Sequence, residues 1–183
     1  FVTYECERSE GTHFRNTEFF HTQNGKIQHV DVYFGSEDGR AGDEAEIRFL
    51  LDRLTQAIRA KDVAALTHHY APDVVAFDLI TPMGTVGVDA VRSRAQQWLD
   101  SFVGPVQFEF HDLHITSGEN VAFCHCLHRV AGTQTTGQKI DMSWRATYGL
   151  EERSGLWLIT HAHSSVPFDM TTGHAVLDLK PVM

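Results

Sequence analysis

His161 and His163 stand two apart in a stretch of alternating character, so on a strand both imidazoles project from one face, with Ile159 and Ser165. An imidazole changes charge near neutral pH, and a pair beside a carboxylate can serve as acid and base in one turnover. Asp78 supplies a carboxylate at the end of the apolar run Val74-Val75-Ala76-Phe77. A carboxylate walled by apolar groups is disfavoured as an anion, which suits it to proton transfer. The alternative reading is a strand-end Asp that caps the loop of residues 80–84. Two further rows repeat the alternation: Phe123, His125 and Leu127 on one strand, and Ser143, Arg145 and Thr147 on the next. Arg145 is the most telling of these, since a buried guanidinium requires a carboxylate or a ligand anion. Asp78 is its expected partner, and such a pair would hold the carboxylate ionised and oppose its work as a base.

His161-x-His163 with His125 and Asp78 also offers the ligand types of a two-His, one-carboxylate metal centre. The His-x-His spacing is common on strands, and neither a metal nor a cofactor is expected. There is no phosphate-cradling glycine loop, no Cys-x-x-Cys pair and no Gly-x-Ser-x-Gly elbow. His68, His69, His111, His114 and His128 are expected on turns or outward faces, in water.

The elements that must hold these groups are legible. Asp43-Glu44-Ala45-Glu46 has the form of a capping box, and Ile47, Leu50, Leu51, Leu54 and Ile58 follow as one apolar helical stripe. Lys61-Asp62 is a turn that caps a shorter helix over residues 63–70, stopped at Ala71-Pro72. A strand is expected at 74–79, and a third helix from Asp89 carries Val91, Ala95, Trp98, Leu99 and Phe102 to Gly104-Pro105. The period then changes to two, with strands expected at 106–116, 120–131, 139–151 and 156–166. Helices followed by an antiparallel meander predict an α+β domain with its helices on one sheet face.

Residues 2–6, 14–22 and 26–34 also alternate like strands, with Asn24-Gly25 as a hairpin turn. The run from Asn24-Gly25-Lys26-Ile27 to Tyr33 lies over that from Ser154-Gly155-Leu156-Trp157 to His163. Two or three strands cannot bury a core alone. They must pair with the main domain, pair with another subunit, or be the remnant of a further domain; residues 35–42 read as a linker.

Of the 183 residues, 15 are basic and 24 acidic, a net charge of −9 that argues against nucleic acid or an anionic membrane as partner. No apolar run approaches the roughly 20 residues of a membrane helix, and residues 1–10 do not look like a signal peptide. Three Cys make no disulfide framework, so a reducing cytoplasm is the expected location.

The capping box, the Lys-Asp turn, the run Tyr70-Ala71-Pro72-Asp73-Val74-Val75-Ala76-Phe77-Asp78, a third helix and a four-strand meander resemble the nuclear transport factor 2 (NTF2)-like superfamily. The resemblance is greatest to its SnoaL-like branch, which includes ketosteroid isomerases and polyketide cyclases. The ending Trp157-x3-His161-Ala162-His163-Ser164-x-Val166-Pro167-Phe168-Asp169 is similar to SnoaL-like proteins too. The resemblance implies three helices on a curved antiparallel sheet, forming a cone with an internal apolar pocket, and frequent dimerisation through the sheet. It assigns residues 43–170 to a complete cone, 1–38 to a β-hairpin segment like the last strands of another such domain, and 171–183 to a tail.

The resemblance also places Asp78 where ketosteroid isomerases carry their general base, and Tyr70 beneath the pocket. It turns His161, His163, Phe123 and His125 inward, with Arg145 and Thr147 on the matching strand; Trp98 is either core or ligand platform. Leu54, Thr147 and Ala95 replace the oxyanion donors and a supporting Tyr of those isomerases, and Arg145-x-Thr147 supplies half of an epoxide-hydrolase pair. The expected function is acid–base chemistry of isomerase, cyclase or hydrolase type on a small apolar molecule. Asp78, His161 and His163 would be catalytic, and Tyr70, Trp98, Phe123, His125, Arg145 and Thr147 would contact the ligand. The competing expectation is a module that binds a hydrophobic ligand or dimerises without turnover. A homodimer is expected in either case.

Overall fold

Alternating residues at the start of the chain form β1 (Val2–Glu7), β2 (His13–Gln23) and β3 (Lys26–Phe34), an antiparallel sheet of its own. The computed structural model describes residues 2–7, 13–34 and 40–181. Asn24 and Gly25 close the β2–β3 hairpin with φ of 52° and 72°, the left-handed pair a tight two-residue turn requires. Residues 35–39 of the expected linker lie outside the described residues, whereas 40–42 already belong to α1 (Arg40–Ala60). The helix therefore starts before the capping-box Asp43, whose carboxylate is buried within the first turn. The apolar stripe is as expected: Ile47, Leu50, Leu51, Leu54 and Ile58 are all buried. Each such side chain contributes about 2 kcal/mol by leaving water.

At the head of α2 (Val63–Thr67), Asp62 Oδ1 accepts the Ala65 N–H at 2.9 Å, a side-chain cap. This helix is shorter than expected, and Tyr70 opens β4 (Tyr70–Phe77). Pro72, with no N–H to give a ladder, falls where the register of β4 shifts between Tyr70 and Val75. β5 (Thr85–Val86), α3 (Val88–Asp100) and the meander β6 (Phe102–Ser117), β7 (Val121–Gln134), β8 (Lys139–Arg153) and β9 (Leu156–Ser165) complete the domain. The short pair β10 (Phe168–Asp169) and β11 (His174–Ala175) follows, and Lys180 Nζ reaches back to the Asp141 carbonyl at 2.8 Å.

The main sheet runs β5-β4-β9-β8-β7-β6, and β4 lies parallel to β9. The curved sheet is thus mixed, a correction to the all-antiparallel expectation. Alternation reveals which residues form a strand but carries no information on the direction of the neighbour it meets after a long crossover. α1 packs on β6 and β9, and α3 on β4 and β6, so the helices cover one face. The core between these layers includes Phe108, Leu99, Val74, Val130, Leu150 and Ile159, each at most 2% exposed.

Two irregularities decide which side chains face that core. Between β8 and β9, Leu150 pairs with Ile159 but Gly149 pairs with His161, so Thr160 is an extra residue, a β-bulge. Between β6 and β7, His111 pairs with Leu127 and His114 with His125, with Asp112 at φ 52° in the gap. A one-residue insertion exchanges the two faces of the strand beyond it.

Candidate active site

The inner face of β7 carries Ala122, Cys124, Cys126, His128 and Val130, all buried, and that of β8 carries Trp144, Ala146, Tyr148 and Leu150. His128 lies only 3% exposed among aromatic rings, with centroids of Phe110 at 4.5 Å, Phe108 at 4.9 Å and Trp144 at 5.2 Å. The expectation that His128 is solvated is therefore corrected. Burial lowers its pKa to about 3, so the imidazole is neutral near pH 7. Its Nε2 lies 3.3 Å from the Tyr148 hydroxyl. With the ring proton on Nε2, the imidazole donates to the phenol oxygen and leaves the phenol O–H free to donate.

Burial, and then the neighbouring Tyr70, Cys126 and Cys124 groups, raise the Tyr148 phenol well above its ordinary range. Burial, and behind it the negative charge of Asp78, raise Tyr70 in the same way. Burial pushes the Cys124 and Cys126 thiols up to about 12. The inner face thus holds protonated phenols and thiols and one neutral imidazole, all uncharged hydrogen-bonding groups in apolar surroundings, where such groups interact strongly.

Asp78 stands at the rim, just past the end of β4. Its Oδ2 accepts from Arg94 Nη2 of α3 at 3.0 Å, and its Oδ1 accepts the Leu79 N–H at 2.7 Å. Arg94 also donates to the Thr81 carbonyl at 3.1 Å, which fastens the loop after β4 to α3. The expected partner, Arg145, is corrected to Arg94. Both readings of Asp78 leave a trace, because it caps its own loop and its charge also reaches Tyr70. Trp98 is half-buried on α3 and packs edge-on against Phe102 and Phe108. Leu79, Ala95, Met142 and Val166 are half-buried and pack against the same core.

The other expected site residues lie on the opposite face of the sheet. Because of the bulge at Thr160, Ile159 faces the core, whereas His161 and His163 face outward beside Phe77, at ring distances of 5.1 and 5.8 Å. His125 and Phe123 are exposed, and the His125 ring stacks on His114 at 5.1 Å. Arg145 is exposed and Thr147 half-exposed on the same side. The hollow lined by three imidazoles and a guanidinium is therefore not formed. Tyr70 and Trp98 remain inside, with Asp78 at the rim. Among the described residues no three His, Cys, Asp or Glu side chains come close enough to hold a metal ion. Two open spaces lie on the outside of the domain: a groove of about 370 Å³ between α1 and β6 and a depression of about 320 Å³ along β6, β7 and β8.

Sequence reasoning missed Tyr148, His128 and Arg94. For the first two the signal was present: Trp144, Ala146, Tyr148 and Leu150 are the apolar phase of β8, and the even-numbered phase of β7 carries both cysteines, a residue type most often buried.

The profile described as a SnoaL-like domain matches residues 47–169. An NTF2-like protein of unknown function from Pseudomonas putida KT2440 is 34% identical, over 76% of this chain and 97% of that one, with a TM-score of 0.70. A candidate dehydratase of the NTF2-like family from Streptomyces avermitilis is 14% identical, over 67% of this chain and 95% of that one, with a TM-score of 0.60. A candidate scytalone dehydratase from Novosphingobium aromaticivorans is 12% identical, over 67% and 83%, with a TM-score of 0.60. These last two show the fold alone. No curated protein matches the chain. No helix among the described residues is long and apolar enough to cross a membrane. The chain belongs to the SnoaL-like family of the NTF2-like superfamily.

Proposed function

We propose that this chain is an enzyme that moves protons on a small apolar molecule bearing a carbonyl or hydroxyl group, bound against the inner face at the rim of the cone. Asp78 takes a proton from carbon, and the Tyr70 and Tyr148 phenols, the latter backed by His128, hydrogen-bond the oxygen on which negative charge develops. The carrying observation is the buried Tyr148–His128 pair, 3.3 Å from hydroxyl to Nε2, with Tyr70 packed against the same core. Such donors stabilise developing charge well where water is excluded, and Asp78 at the rim supplies the base. Isomerisation, aldol-type cyclisation and β-elimination of water begin with such a transfer, whereas in hydrolysis the same carboxylate would take its proton from water. The scheme uses no cofactor or metal, and the buried free thiols Cys124 and Cys126 suit a reducing cytoplasm.

The test is the exchange of α-hydrogens of an apolar ketone, 2-tetralone, in deuterated buffer, followed by NMR. The wild-type protein should accelerate exchange, and Asp78→Asn should lower the acceleration by about 100-fold or more, the usual weight of a general base. Equal exchange by wild type and D78N would remove Asp78 from the chemistry.

A second reading concerns the outer face. Phe77, Val121 and Phe123 are 43%, 55% and 48% exposed there, beside the imidazoles of His114, His125, His161 and His163. We propose that two copies pair through this face, which buries the rings. Sedimentation should give twice the 20.6 kDa chain mass, and Phe123→Asp should give the monomer. A wild-type monomer at high concentration would exclude the pairing.

A further inference from the structure

β1–β3 repeat the end of the chain's own cone. The β2–β3 hairpin turns through Asn24-Gly25 at φ 52° and 72°, and the β8–β9 hairpin turns through Ser154-Gly155 at φ 56° and 80°. Laying Asn24 on Ser154 places, without a gap, Arg15-x-Thr17 on Arg145-x-Thr147 and Tyr33 on His163. The backbone pairs agree: Thr17 with Tyr33 and Thr147 with His163, Glu18 with Val32 and Tyr148 with Ala162. β1 joins β2 as β7 joins β8, so that Tyr4 opposite Asn16 matches Cys126 opposite Ala146. Each hairpin carries its extra residue on the second strand, Gln28 in β3 and Thr160 in β9.

In the complete cone this meander is never bare. β4 lies parallel along the free edge of β9, β6 lies along β7, and the helices cover the inner face. β1–β3 lack both flanking strands among the described residues, although α1 passes against β2 and β3. By register, Val2, Phe20, Val30 and Val32 share the phase that matches the inner face, yet Val2, Val30 and Val32 are 50%, 36% and 42% exposed. A largely apolar open face with two edges that lack a strand partner among the described residues is a docking template.

We infer that β1–β3 are the closing meander of a second cone of the same family, and that they take the opening half of that cone as partner. The partner supplies helices for the Val2, Val30 and Val32 face, a strand parallel to β3 and a strand antiparallel to β1. The occupant is defined by what α1–β6 do for β7–β9 in this same chain, and residues 1–183 hold no second set of those elements among the described residues.

Amide hydrogen exchange of the 183-residue protein, read by mass spectrometry at several concentrations, tests this. The expected result is exchange in β1–β3 at least 100-fold faster than in β7–β9 at every concentration. Protection in β1–β3 equal to that in β7–β9 would show a meander already complete, and would overturn the inference. Protection that grows with concentration would assign the open edges to a second copy and overturn it equally. Val32→Asp adds an independent reading. It should leave the unfolding midpoint of the cone unchanged, and a lowered midpoint would show that the face is already buried against it.

Discussion

Lowering the pH from 7 to 5 titrates the interior of this protein through His128. The free imidazole has a pKa of 6.5, and burial in the folded chain lowers it to about 3. Below pH 6.5 the unfolded chain therefore takes up a proton that the native state refuses. Stability is fully present above pH 6.5 and falls by about 1.4 kcal/mol for each unit below it, a loss of about 2 kcal/mol by pH 5. His69 adds a loss of the same sign and nearly the same size in this window, because burial, then the charges of His68 and Arg53, lower it to about 4. The carboxylates held down by partners, Asp73, Glu109, Asp141 and Asp169, lose their stabilisation only at lower pH, near the unfolded carboxylate range. Among the described residues, the loss from pH 7 to 5 therefore comes from the two histidines, and Asp52, raised by burial, acts with the opposite sign. Urea unfolding at both pH values, for wild type and His128→Gln, measures the difference directly. Glutamine keeps a polar partner for Tyr148 but cannot titrate, so the loss between pH 7 and 5 should shrink by about 2 kcal/mol. An undiminished loss in H128Q would refute the placement of His128 among the aromatic rings.

Two substitutions probe the scaffold and the rim. A Cβ on Gly132 would meet Phe102 Cδ1 at 2.9 Å and Cε1 at 3.2 Å, so Gly132→Ala should cost about 1–3 kcal/mol by overpacking, read as a lowered urea midpoint. A neutral result would mean that the irregular stretch of β6 opposite it, between Val103 and Gln107, is pliable. Arg94→Gln removes the Asp78 ion pair, and with Asp78 42% exposed the stability loss should stay below about 1 kcal/mol. The same variant should change the rate of ketone exchange far more than it changes stability; an unaltered rate would mean that the pair serves only the loop.

Elements with strong periodicity were legible in the sequence. The Ile47–Leu54–Ile58 stripe and the Asp62 cap follow from spacing and from a local acceptor, which need no knowledge of the rest of the chain. The start of α1 was not, because Arg40-Ala41-Gly42 carries no helix signal of its own and is drawn in by the helix that follows. The site was partly misread for one physical reason. Polar residues on a strand need not face a ligand: on β8 the apolar phase seeks the core and Arg145 and Thr147 go to water. On β9 the error was compounded by the bulge at Thr160, since strict alternation carries Ile159, His161 and His163 on one face and an inserted residue separates them. Tyr70 and Asp78 escaped that error because both were placed by resemblance over an ungapped run rather than by strand phase. Arg94 could not be found by period, as its partner comes from a loop sixteen residues earlier.

The phase of β7 decides whether the polar site lies inside the cone. Acylation of histidines by diethylpyrocarbonate in the native protein at pH 7, resolved residue by residue with tandem mass spectrometry, reads that phase directly. The exposed His68 serves as the reference for a solvated imidazole. The account predicts that His128 stays unmodified while His68 reacts fully, and that His128 reacts once urea unfolds the chain. Modification of native His128 at the rate of His68 would place the ring in water and contradict the site.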